Sequence, residues 1–127
     1  ALPLYERALA ITEAVYGPDH PDVSTWLNNL ASALQDLGRT SDALPLYERA
    51  LAITEAVYGP DHPDVSTRLN NLASALRALG RASDALPLLQ RSLAIDEAVY
   101  GPDHPNLQAV RRNLAACDPI MRGGSVS

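Results

Sequence analysis

Between Pro21 and Gly38 the apolar residues fall at Val23, Leu27, Leu30, Leu34 and Leu37. Steps of four, three, four and three put them on one face of an α-helix. Pro21 suits the first helical turn, where a missing N–H removes no bond. Asp22 beside it favours the positive end of the helix dipole. Gly38 is a C-terminal stop. The pattern predicts a helix A over 21–37.

Ser41 reads as an N-cap for the next element, with Asp42 in its first turn. From there Ala43, Tyr47, Ala50 and Val57 mark one face. Leu44, Leu51 and Tyr58 mark another, which Leu46 and Ile53 widen. This helix B, 42–58, is apolar over about half its circumference, more than one neighbour covers. Pro45 falls within about the first turn, where a proline is tolerated. Gly59-Pro60 ends the helix.

The pattern then repeats. Residues 1–42 and 43–84 differ only at Trp26/Arg68, Gln35/Arg77, Asp36/Ala78 and Thr40/Ala82, and a more diverged copy starts at Ala85. The octet "YGPDHPDV" at 16–23 recurs at 58–65 and, as "YGPDHPNL", at 100–107. It is the connector from one B to the next A. The register gives B at 1–16, A at 21–37, B at 42–58, A at 63–79, B at 84–100 and a last A at about 105–117. No segment reads as strand. A helix pair cannot bury helix B alone but a stack of pairs can, which is the logic of a solenoid.

Composition changes this picture little. At 127 residues and 46% hydrophobic, the chain can build one small domain or a short array. Cys117 is the only cysteine, so no internal disulfide forms, which fits a reducing, cytoplasmic setting. No long apolar run or signal-peptide pattern appears, so no membrane segment is expected. The net charge is −5, with ten Arg and no Lys, a poor match to nucleic acid. The chain lacks an initiator Met and opens inside a repeat, as expected of a piece of something longer.

Leu27-x2-Leu30-Ala31-x2-Leu34, then Gly38, then Ala43-x3-Tyr47 and Ala50, resembles the tetratricopeptide signature. The common unit has about 34 residues, and the unit here is longer by the extended helix B and the "GPDHP" loop. With "LNNLA", "ALPLYERALAI" and "GPDHPDV" it is similar to the repeats of kinesin light chains. The resemblance covers about residues 1–117. It implies an all-α fold, a right-handed superhelical stack of antiparallel helix pairs. It also implies a non-catalytic scaffold that binds protein or extended peptide in a concave groove lined by the A helices, and it calls for no cofactor. The rival reading is a self-associating or sensor segment of a larger signalling protein.

His20, His62 and His104 recur beside Asp19, Asp61 and Asp103, which raises a metal or acid-base site against loop and capping roles. Each His lies a whole repeat from the next, at least about 10 Å given packed helices 8–10 Å apart, so no two share a metal. No nucleophile–base pair or phosphate loop appears, and no catalytic residue is named.

The Asn pairs are the better candidates. Asn28-Asn29 and Asn70-Asn71 follow the core leucines, and Asn113 continues the second column. Asn is mediocre in mid-helix, yet its amide carries both donor and acceptor and can grip a peptide backbone. An extended peptide rises about 3.3 Å per residue, so a column of roughly 10 Å pitch meets every third residue. Alternatively the amides bond a neighbouring helix and hold the stack together. Thr25, Ser32 and Asp36 share that face, as do Thr67, Ser74 and Ala78. Arg77, Arg111 and Arg112 make its C-terminal half basic, which either favours an acidic partner or is simply solvated. Trp26 and Arg68, at the most changed position, are a tolerant flank or a specificity residue. Glu6, Arg7, Glu13 and their copies read as ordinary surface charge.

The domain is expected to span 1–118, with a half repeat, two full repeats and a capping helix. In the last copy Arg111 replaces a core leucine and Asp118 another, as a polar cap should. Residues 119–127 read as a flexible tail. At the other end, helix B at 1–16 has one neighbour where its copies have two. Leu2, Leu4, Tyr5, Leu9, Ile11 and Tyr16 cannot all be covered, which predicts a homodimer through residues 1–16.

Overall fold

The computed structural model describes residues 2–105 and 107–117. Over these the chain forms α1 (Leu2–Tyr16), α2 (Pro21–Asp36), α3 (Thr40–Tyr58), α4 (Pro63–Ala78), α5 (Ala82–Tyr100) and α6 (Leu107–Cys117). No strand occurs among the described residues. The A helices are α2, α4 and α6, and the B helices are α1, α3 and α5. Each helix packs against the ones before and after it, and α4 also touches α6. This is the solenoid of stacked helix pairs that the repeat implied.

The stripe Val23, Leu27, Leu30, Leu34 is buried, and so is its copy Val65, Leu69, Leu72, Leu76. Leu27 and Leu69 lose all their exposure, a burial that stabilises by about 1.5–3 kcal/mol each. Ala31, Ala43 and Ala50 are wholly buried, where a larger side chain would hold the crossing helices apart. One cluster unites Leu30, Leu34, Ala43 and Tyr47 with Leu72, Leu76, Leu89 and Leu114, so the core runs continuously through the repeats.

The connectors explain the recurrent octet. Gly59 closes α3 at φ 91°, in the left-handed half of backbone space where a Cβ is strained. His62 then caps α4: its Nδ1 accepts the Asp64 N–H at 3.0 Å. His20 does the same for Asp22 at 3.1 Å. Each ring stacks on the tyrosine that ends the preceding helix, His20 on Tyr16 at 4.4 Å and His62 on Tyr58 at 4.6 Å. His20 and His62 thus serve the connectors, a repeat apart.

Three expectations need correction. Ser41 is not the N-cap of helix B, because the A-to-B turn is shorter than expected. Gly38 at φ 78° lets Arg39 N–H reach Leu34 O at 2.8 Å and Gly38 N–H reach Gln35 O at 3.0 Å. That Schellman closure leaves Arg39 itself as the next cap, and its carbonyl receives the Asp42 and Ala43 N–H groups. Pro45 is therefore the sixth residue of α3, on an exposed side where its absent N–H leaves the Ser41 carbonyl to water. Second, Leu37 is the C-cap of α2 and 63% exposed, not the last core residue of the stripe. Third, Val57 leaves the buried face. α3 has 19 residues against 16 in α2, so its last turn overhangs.

The two ends differ. Leu2, Tyr5 and Leu9 of α1 pack on the core, but Leu4 is 73% and Ile11 54% exposed. The copies of Ile11, Ile53 and Ile95, are 5% exposed because each lies on its own repeat's helix A. In α6, Leu107, Val110 and Leu114 are buried and Arg111 is exposed, its Nη2 donating to the Pro102 carbonyl. Asp118 and the expected tail 119–127 lie outside the described residues. No helix among those described is long and apolar enough to cross a membrane.

Candidate functional site

The A helices stand in a row, and the Asn pairs fall on the edge where neighbouring A helices meet. Asn71 Nδ2 donates to Asn28 Oδ1 at 2.9 Å, and Asn113 Nδ2 donates to Asn70 Oδ1 at 2.9 Å. The second Asn of one repeat thus bonds the first Asn of the repeat before it. Two rungs of an amide ladder result, joining α2 to α4 and α4 to α6. All four side chains are half-buried. Each rung uses one oxygen and one N–H pair. The remaining amide groups, such as the Asn28 Nδ2 and Asn71 Oδ1, are available to a ligand by their chemistry. Among the described residues Asn29 meets no earlier helix A, and Arg112 stands where the first Asn of a third pair would be.

The other predicted residues flank the ladder. Ser32, Arg77 and Arg112 are exposed, and Ser74 is half-buried. Ser32 and Gln35 border Tyr47, whose hydroxyl donates to Gln35 Oε1 at 2.9 Å. Burial raises the Tyr47 pKa above its usual 10.0, with the Ser32 hydrogen bond opposing and the Asp36 charge adding. The face combines half-buried amides, hydroxyls and two exposed guanidinium groups.

Behind the ladder lies a polar seam that sequence reasoning did not single out. Ser24, 1% exposed, donates to the Ala50 carbonyl at 2.8 Å and sits 2.7 Å from Thr54 Oγ1. These bonds satisfy hydroxyls buried between α2 and α3. Arg68 reaches the seam from α4, its Nε donating to Ser24 Oγ at 3.2 Å. Burial lowers the Arg68 pKa, while Asp64 and Tyr58 pull it back up. Arg68 is half-buried and joins α4 to α2 through Ser24, a structural contact beside the flank and specificity readings of this position. A buried Ser beside Val23 in an otherwise apolar stripe was the available signal.

A second clamp lies on the B side. Arg49 Nη1 meets Glu13 Oε1 at 3.3 Å and its Nη2 donates to the Pro18 carbonyl at 3.1 Å. Arg91 does the same to Glu55 and Pro60, at 3.1 and 3.0 Å. The expectation of plain surface charge suits the exposed Glu6 and Arg7, but not these copies. Arg7 lacks the partner because the described chain holds no earlier repeat for it to clamp. Among the described residues no group of three His, Cys, Asp or Glu side chains is placed to hold a metal ion.

The sequence model of the tetratricopeptide repeat family matches residues 1–56, 23–98 and 69–118. Among solved structures, the chain is similar to a kinesin-light-chain-like protein of Podosopora anserina with nearly identical TPR-like repeats. Identity is 28% and the TM-score 0.84, over 91% of this chain and 55% of that one. It is also similar to BtubC (BKLC) from P. vanneervenii, at 27% identity and a TM-score of 0.83, over 91% of this chain and 46% of that one. The chain thus spans about half the length of these two structures. Against curated proteins it has no match.

Proposed function

This chain belongs to the tetratricopeptide repeat family in its kinesin-light-chain-like form, and we propose that it is a non-catalytic scaffold that holds an extended protein segment along its A helices. Repeats of this family are in general protein-interaction scaffolds without catalytic activity. The observation that carries the reading is the amide ladder. It fixes Asn28, Asn70, Asn71 and Asn113 in one row with donors and acceptors left over. A row of fixed amides recognises backbone without reading side chains. Asn29, Ser32 and Ser74 extend the polar track, and exposed Arg77 and Arg112 favour acidic side chains on the partner. No cofactor, nucleic acid or membrane enters this reading, and its setting is the cytoplasm.

The test uses residues that bond no neighbouring helix, so that binding is separated from stability. Peptides selected from a random library by the unmodified chain are rebound to an Asn29→Ala/Arg112→Ala variant. Binding should fall by about tenfold or more, the scale of one or two charge-assisted contacts, with no loss of thermal stability. Selection of no peptide, or equal binding by the variant, overturns the reading.

The apolar strip on α1 supports a second reading, a homodimer through residues 1–16. Leu4, Ile11 and Val15 are 73%, 54% and 66% exposed, and α2 is the described helix on which α1 chiefly packs. Sedimentation equilibrium should show concentration-dependent dimers that Ile11→Glu abolishes. A monomer at every concentration, or a dimer indifferent to Ile11→Glu, rules it out.

A further inference from the structure

The wedge made by Arg68 has a counterpart one repeat later that no side chain of the described residues fills. Arg68 of α4 reaches Ser24 of α2, which bonds Ala50 and Thr54 of α3, and the repeat places Pro21, Thr25, Asn28 and Tyr58 at the matching positions of that unit. Adding 42 to each gives the walls of a pocket of about 190 Å³ between α4, α5 and α6: Pro63, Ser66, Thr67, Asn70, Ser92, Asp96 and Tyr100, with Val110 replacing the arginine.

Three changes arrive together in that last unit. Arg68 becomes Val110, which is buried and too short to fill the slot. Ala50 becomes Ser92, whose hydroxyl lies 2.7 Å from Ser66 Oγ and so takes over the bond that Thr54 makes to Ser24. That relieves the third position, where Thr54 becomes Asp96. A carboxylate cannot donate to the helix carbonyl as Thr54 does to Ala50 at 2.8 Å. Asp96 is only 7% exposed, and no hydrogen bond or ion pair to it exists among the described residues. No side-chain oxygen in the described chain is both sealed from solvent and unbonded, so the exposure Asp96 retains is toward this pocket. A nearly buried carboxylate without a cation is costly to the fold and calls for a partner.

We propose that this slot binds the guanidinium group of an arginine presented by a partner protein. The preceding repeat supplies the template, since a guanidinium of this chain already bonds the equivalent Ser and feels the equivalent Tyr. The walls supply acceptors for a planar fork of donors: the Asp96 carboxylate, the Ser66 and Ser92 hydroxyls and the Asn70 amide. Asn70 also holds the α4–α6 rung, so the slot opens beside the amide ladder. The site is a separate claim from the peptide track, because it requires one side chain and no extended backbone.

The probe is accordingly a single residue, Nα-acetyl-arginine methylamide, added to the whole chain and followed by amide NMR. Backbone signals of Ser66, Asn70, Ser92 and Asp96 should shift saturably. The citrulline analogue, equal in shape and neutral, should leave them unmoved. Asp96→Asn should weaken binding by about tenfold or more while keeping the fold. Val110→Arg should fill the slot from within, raise the melting temperature and abolish the shifts, and Asp96→Asn should cancel that rise. The proposal is overturned if the arginine probe gives no saturable shift, if citrulline or a lysine analogue binds as well, or if Asp96→Asn binds equally. The Asp96→Asn comparison stands even if Val110→Arg does not fold.

Discussion

The amide ladder contains its own control. Asn29 and Asn71 sit in the same heptapeptide, "LNNLASA", at 27–33 and 69–75. Both are half-buried in mid-helix. Asn71 donates to Asn28 at 2.9 Å, whereas Asn29 bonds no earlier repeat. Replacing either by Ala gains the same helix propensity, roughly 0.5–0.7 kcal/mol. Only at position 71 does the change remove an inter-repeat bond, worth about 0.5–1.5 kcal/mol net. The Asn28 oxygen left behind is half-buried and can turn to water, which holds the loss to the lower part of that range. Asn29→Ala is thus expected to stabilise by about 0.5 kcal/mol, and Asn71→Ala to be neutral or destabilise by up to about 0.5 kcal/mol. Urea unfolding followed by far-ultraviolet circular dichroism measures both. A cycle with Asn28→Ala should give a coupling of at least about 0.5 kcal/mol for the 28/71 pair and none for 28/29. Identical effects of the two substitutions, or no coupling between 28 and 71, would refute the ladder as a structural element.

Three further outcomes follow from the packing. Ala43→Leu, at a fully buried crossing, should overpack and destabilise by about 1–3 kcal/mol in the same assay. His62→Ala should lose the α4 cap at a cost of about 1 kcal/mol, and His62→Asn should retain most of it. Because burial raises the Tyr47 pKa, the unfolded chain gives up its phenol proton first as pH rises past 10.0. The stability from neutral Tyr47 is therefore complete below that pH and lost as pH climbs through the folded value, and Tyr47→Phe should flatten this decline in a pH series of melting curves.

Helix identity, repeat length and stacking order were all legible in the chain, because each depends on neighbours three or four residues apart. Val23, Leu27, Leu30 and Leu34 announce a buried stripe by spacing alone, and Gly38 and Gly59 announce the stops. The 42-residue self-similarity then dictates that each unit meets a copy of itself. Where the local rule had two solutions, the sequence did not choose. Ser41 could cap helix B in isolation, and only the backbone closure from Arg39 to Leu34 shows that the helix has already begun.

The candidate site lay beyond that reach for a physical reason. Its bonds join residues 43 and 44 apart, Asn71 to Asn28 and Arg68 to Ser24, and the clamp from Arg49 to Glu13 spans 36. Periodicity tells which face a residue occupies but not which atom the next repeat sets opposite it. That depends on the rotation and rise between units, which side-chain packing fixes. Hence two adjacent Asn residues could be recognised as a column, while the offset pairing of first with second needed the stack. Only the packed repeats show that Thr54 is hydrogen-bonded in the seam Arg68 enters and that Asp96, its copy, lines a pocket instead.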